Sequence, residues 1–165
     1  MIGTPRLTHP FDPRYQQARS LLCSDDGLRE YELLFEVEVH DLVCRVSPKK
    51  PPARKQVLAA GRQLAVADEV AHATLANLVH RIGITHDVRL KLPKPLYGNE
   101  SFRADASLLR ESGGLFEVLV SFYNAKERCC TEANIWIYAL DTATFLSLLP
   151  GKKMPAALAP LFPGQ

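Results

Sequence analysis

The sequence predicts an α+β domain in which a curved antiparallel sheet wraps around one central helix. Three observations predict it. Residues 29–40 alternate apolar and mostly acidic side chains with a period of two. Residues 56–79 switch to an alanine-rich, proline-free run with helical spacing. Four more strand-like runs then follow one another, separated by turn signals. Strands joined by short turns are antiparallel neighbours. The helix is apolar on more than a narrow stripe, so it needs cover on most of its surface. A sheet curled around it provides that cover. The alternative arrangement is an α+β roll of another type.

The elements can be justified in order. Residues 1–12 are rich in Pro and His and read as an irregular arm. Asp12-Pro13 is a helix start: an N-capping acid, then a proline whose missing N–H costs nothing at the first helical position. A short helix over Arg14–Leu22 follows, ended by Ser24-Asp25-Asp26-Gly27. In residues 29–40, Tyr31, Leu33, Phe35, Val37 and Val39 fall on one face and Glu30, Glu32, Glu36 and Glu38 on the other, with Leu34 the exception. That is the pattern of a half-buried antiparallel strand. Leu42, Cys44 and Val46 continue as a shorter strand. Residues 47–55, SPKKPPARK, hold three prolines and four cations and cannot form a ladder. The helix over 56–79 stops in the run His80-Arg81-Ile82-Gly83, with the glycine as the stop signal. The later strands are expected at 84–92, 100–109, Leu115–Tyr123 and 128–140. Three segments result: an arm with a short helix (1–28), the sheet-and-helix domain (29–140) and a proline-interrupted tail (141–165) that packs on the domain or on a partner.

Composition narrows the function classes. The chain has 165 residues, 47% of them hydrophobic and 23% charged, enough for one domain with a real core. A formal net charge of +2 is too small for a protein that tracks a phosphate backbone, so no nucleic-acid partner is expected. No apolar run reaches the length of a membrane span or a signal peptide, so the expected location is cytoplasmic. Cys23, Cys44, Cys129 and Cys130 form no CxxC pair and are expected as reduced thiols. No metal site and no cofactor are implied.

The stretch AAGRQLAVADEVAHATL, residues 59–75, resembles the helix-opening motif of the phenylacetyl-CoA-type thioesterases of the hot-dog fold. In that family a His-Gly-Gly opens the helix and an acid follows seven residues after the second glycine. Here the second glycine corresponds to Gly61 and the acid to Asp68, while Ala59 and Ala60 replace the His and the first Gly. Thr85, Pro95 and Gly98 match the family's strand-opening Thr, strand-ending Pro and turn Gly, with Asn99 where an acid is usual. The resemblance covers about half the chain. QVLAAGRQLAVA is also similar to the same helix in the hot-dog effector domain of a bacterial repressor that senses malonyl-CoA and hydrolyses nothing.

The resemblance implies hydrolysis of acyl-CoA or acyl-carrier thioesters at a site between the subunits of a homodimer or homotetramer. The first N–H groups of a helix are unsatisfied and lie at its positive end, so Ala60 and Gly61 are candidate backbone donors to the thioester carbonyl. Asp68 is the candidate base or nucleophile. Glu69 is its neighbour, about 100° away around the helix. His72, four residues on, shares a face with Asp68, where it would either pair with that acid and tune its pKa or be a histidine hydrogen-bonded at an interface, the second being the favoured reading. His80 and His86 read as a helix-end and a strand-start residue. Lys49, Lys50, Arg54 and Lys55, with Arg103 and Arg110, are candidates for CoA phosphates, set against a reading as solvated surface cations. The rival function is a non-catalytic acyl-CoA-binding protein of the same fold.

Overall fold

The computed structural model describes residues 9–23 and 28–162. The expected break at residues 24–27 and most of the expected arm lie outside the described residues. Of the arm, His9 bridges to Val37 at the sheet edge, its N–H donating to the Val37 carbonyl at 2.9 Å.

Helix α1 (Arg14–Leu22) is followed by strands β1 (Tyr31–Val37) and β2 (Asp41–Pro48), the long helix α2 (Ala60–Val79), strands β3 (Gly83–Lys91), β4 (Phe102–Ser112), β5 (Leu115–Tyr123) and β6 (Cys129–Ala139), and a short helix α3 (Thr142–Leu148). The six strands form one antiparallel sheet in the order β1-β2-β4-β5-β6-β3. The inner face of the sheet packs on α2, which buries residues from Gln63 to Ala76 against it. This is the curved sheet around a central helix that the sequence predicts. Its inward residues, Cys44, Val46, Ala104, Ala106, Val118, Val120, Phe122, Ala133, Ile135 and Ile137, are fully buried.

The alternation in β1 holds: Tyr31, Leu33, Phe35 and Val37 turn inward, and Leu34 is the exposed exception. Val39 does not join them. The strand ends at Val37, the Glu38 N–H closes a turn onto the Asp41 carbonyl, and Val39 sits exposed at the tip. The β4–β5 hairpin pairs Ser112 with Leu115 around Gly113 (φ 59°) and Gly114 (φ 83°). Two consecutive left-handed residues are what a tight hairpin turn of this twist requires.

Three expectations at helix ends are corrected. α1 starts at Arg14 with Pro13, not Asp12, as its cap residue, although the Asp12 carboxylate still accepts the Arg14 N–H at 2.9 Å. α2 begins at Ala60 rather than residue 56. Residues 56–58 are held extended instead: Val57 bridges to Tyr97, and the Leu58 N–H donates to the Leu96 carbonyl at 2.7 Å. Gly83 does not stop α2. His80 takes the left-handed position (φ 55°), while Gly83 is already in β3. Its glycine has another cause: a Cβ there would lie 2.6 Å from the Tyr138 carbonyl oxygen and collide with Ile137.

The tail folds back on the domain. Asp141 caps α3 by accepting the Thr144 N–H at 2.7 Å. Phe145, Leu158, Leu161 and Phe162 are buried, with Phe145 and Phe162 stacked at 4.4 Å between ring centroids. Residues 156–161 lie against α1.

Candidate active site

Asp68 lies on α2, about two turns in from its start, with its side chain 25% exposed. Both carboxylate oxygens are held. Oδ1 accepts the Thr85 hydroxyl at 2.5 Å, from β3 on one side. Oδ2 accepts Arg19 Nη2 at 2.9 Å, from α1 on the other. Arg19 Nε donates at 3.0 Å to Oε2 of Glu69. One guanidinium therefore grips two adjacent carboxylates through two donors whose directions its planar fork fixes, where an ammonium would hold them with freely rotating donors.

The Thr85 hydroxyl has one proton, which it gives to Asp68. Its oxygen then accepts from His72 Nε2 at 2.9 Å, so His72 carries its proton on Nε2. His72 Nε2 is itself 3.7 Å from Asp68 Oδ1. His72 is buried, which pushes its pKa well below the usual histidine range. The Arg19 cation adds to that depression and the Asp68 charge opposes it. His72 is hydrogen-bonded, as the sequence suggests, and it is buried inside the domain.

Asp68 and Glu69 line a cleft of about 630 Å³ between α1, β1 and α2. Arg19, Gln16, Ser20 and Cys23 contribute from the α1 side, Leu28, Arg29, Tyr31, Glu32 and Leu33 from the β1 side, and Ala65 and Lys49 complete it. The volume suits a small-molecule site. The 100° between the two acids does not send them to separate surfaces, because the cleft is wide enough to take both. Glu69 is the more deeply placed, facing Tyr15, whose hydroxyl is pushed far above its normal pKa by burial and then by the Glu69 charge.

Ala60 and Gly61 stand apart from this cleft. The N–H groups of Arg62 and Gln63 turn back to the Ala59 carbonyl at 3.0 and 3.1 Å. Those of Ala60 and Gly61 have no acceptor among the described residues, and a Cβ on Gly61 would meet nothing within 4 Å. They are open donors, about 10 to 12 Å from Asp68 along the helix axis, with Gly61 on nearly the same face as Asp68 and Ala60 about 80° around from it. A second cleft of about 330 Å³ adjoins this end of α2, lined by Lys50, Gln56, Leu58, Ala59, Arg62 and Gly98 among others. The Arg62–Glu30 ion pair (2.6 Å) stands at its wall, and Tyr31 lines both clefts.

The cationic candidates divide. Lys49 lines the larger cleft and Lys50 the smaller, while Lys55 sits over the Tyr97 ring at 4.1 Å. Arg103 is taken up by Asp105 and Glu127, and Arg110 by Glu117. Those two are strand cations in ion pairs. His80 and His86 are exposed and touch neither cleft. Arg19 was not singled out in the sequence, because nothing local in RYQQARSLL points to acids 49 and 50 residues away. Burial also raises the Cys44 thiol pKa to about 12, which leaves that cysteine inert.

No family model matches the sequence, and no curated protein is similar to it at the sequence level. Solved structures are. A thioesterase from Haemophilus influenzae superposes with a TM-score of 0.61 at 11% identity, over 82% of this chain and 93% of its own. Zebrafish thioesterase superfamily member 2 gives 0.59 at 15%, covering 78% and 96%. A hypothetical thioesterase from Streptococcus pneumoniae, solved with coenzyme A, gives 0.59 at 11%, covering 77% and 94%. Likeness at such low identity, spread over nearly the whole of each neighbour, defines the architecture: this chain has the hot-dog fold of the thioesterase superfamily structures.

Proposed function

We propose that the protein hydrolyses acyl-CoA or acyl-carrier thioesters, with Asp68 as the base that activates water. One observation carries this reading. A carboxylate on the central helix of a hot-dog fold is fixed by the Thr85 hydroxyl at 2.5 Å and Arg19 at 2.9 Å, at the wall of a cleft of about 630 Å³. The structural neighbours, named as thioesterases and in one case holding coenzyme A, support the substrate class.

In this reading Asp68 takes a proton from water as the water oxygen attacks the thioester carbonyl carbon. The carbonyl oxygen gains charge and is met by the open N–H groups of Ala60 and Gly61. Collapse breaks the C–S bond, and the proton held by Asp68 goes to the leaving thiolate. Thr85, held in turn by neutral His72, fixes the direction of the Asp68 lone pairs. The Asp68 cleft is not lined by Ala60 or Gly61, which favours a site assembled between two copies, with the acid of one facing the helix start of the other.

A second reading has its own support. Ala59 and Ala60 replace the His-Gly of the resembled motif, and both oxygens of Asp68 already have protein donors. This favours an acyl-CoA-binding protein without hydrolysis. A panel of acyl-CoAs with a thiol-reactive dye separates the two, because only hydrolysis releases free thiol. Turnover is expected, falling about 10²–10⁴-fold in Asp68→Asn, the range of a general base. CoA binding should change little. Saturable CoA binding with no thiol released from any substrate establishes the second reading instead.

A further inference from the structure

We infer that Arg19, carried on α1 outside the sheet-and-helix unit, is a positioning residue that sets the orientation of the Asp68 carboxylate. The inference rests on the proposed thioesterase reading and adds the N-terminal helix to the site.

Four observations meet at this side chain. Arg19 holds Asp68 through Nη2 at 2.9 Å and Glu69 through Nε at 3.0 Å, so its own orientation is fixed at two points. Its side chain is 17% exposed, so the pair is shielded from most of the solvent that weakens surface ion pairs. Glu69 is itself buried, beside the buried Tyr15 of α1. Nη1 of Arg19 has no partner among the described residues, so the grip on Asp68 runs through one nitrogen only.

The consequence follows from carboxylate geometry. An ionised carboxylate has about four lone-pair directions. Thr85 takes one on Oδ1 from the β3 side, and Arg19 takes one on Oδ2 from the α1 side. Opposed donors on the two oxygens stop rotation about the last side-chain bond, and the remaining lone pairs keep one direction. Without Arg19, Asp68 keeps its Thr85 bond but is free to swing about it. A misplacement of about 1 Å in such a group costs on the order of 100-fold in rate.

Three variants test this. Arg19→Lys keeps the charge but not the fork, and is expected to keep the parent Tm and KM while kcat falls about 10- to 100-fold. Arg19→Ala should fall further and regain activity several-fold in millimolar guanidinium ion, but not in methylammonium of equal concentration. Glu69→Gln loosens one anchor and should lower kcat only a few-fold. If Arg19→Lys retains full kcat, or if guanidinium restores nothing to Arg19→Ala, the positioning role is overturned while the thioesterase reading stands. If the parent hydrolyses no thioester, the proposed function fails by itself. The clamp is then read from the Arg19 Nη2 protons, which donate to Asp68: exchange that is slow in the parent and faster in Asp68→Asn supports positioning. Equal exchange rates in the two proteins overturn it.

Discussion

His72 connects the site to stability at the scale of one residue. It is buried beside Arg19 and Thr85, and its folded pKa is depressed, first by desolvation and then by the Arg19 cation. A histidine held neutral in the fold contributes stability above its unfolded pKa of about 6.5, and that stability is lost as pH falls below it. The unfolded chain takes up the proton that the folded chain refuses. Urea unfolding of the parent should therefore lose as much as about 2 kcal/mol between pH 7 and pH 5 from this group alone. His72→Gln retains an N–H donor for Thr85 and does not titrate, so its stability should vary less over the same interval. Parallel pH profiles for the two proteins would assign the acid sensitivity to other groups.

Two glycines show how elements are fixed. At Gly83 the backbone of β3 meets β6 so closely that a Cβ would press on the Tyr138 carbonyl and Ile137. Neither is the free end of a flexible chain, so Gly83→Ala is expected to cost about 1–3 kcal/mol, the usual range for overpacking. Gly61 is the opposite case, in the first turn of α2 with open space where a Cβ would go. Gly61→Ala should stabilise by up to about 1 kcal/mol, because alanine loses less freedom on entering a helix. Urea midpoints at unchanged m-value check both signs. The contrast matters for β3 in particular, since this strand carries Thr85 and a displaced strand would loosen Asp68.

On the scale of the whole molecule, the sheet ends at β3, whose outer edge pairs with no strand among the described residues. Ile84 and Tyr138 face each other in register beside that edge and are 41% and 52% exposed. A bare edge with apolar side chains beside it is a surface that proteins ordinarily cover. The protein is expected to sediment as a dimer or tetramer at micromolar concentration. A monomer would leave the open amides of Ala60 and Gly61 outside the Asp68 cleft, against a site built between copies. Among the described residues no helix is long and apolar enough to cross a membrane.

Much of the architecture is a local property of the sequence. The period of two in β1, the uninterrupted alanine-rich run of α2 and the Gly113-Gly114 turn each follow from backbone preference and side-chain size, which neighbours in the chain decide. Asp68 was singled out differently, by the resemblance of residues 59–75 to a known helix-opening motif in which an acid follows the glycine matched by Gly61. What surrounds Asp68 was not legible. Arg19 reaches it from 49 residues away and Thr85 from 17, and no periodicity records which side chains meet when the sheet closes around α2. The extended start at residues 56–58 and the true reason for Gly83 belong to the same class, since both are set by strands that arrive later in the chain. Sequence determined which elements form and which faces are apolar. Tertiary structure alone decided which charges are paired, because ion pairs and close backbone approaches depend on distances between segments that only packing brings together.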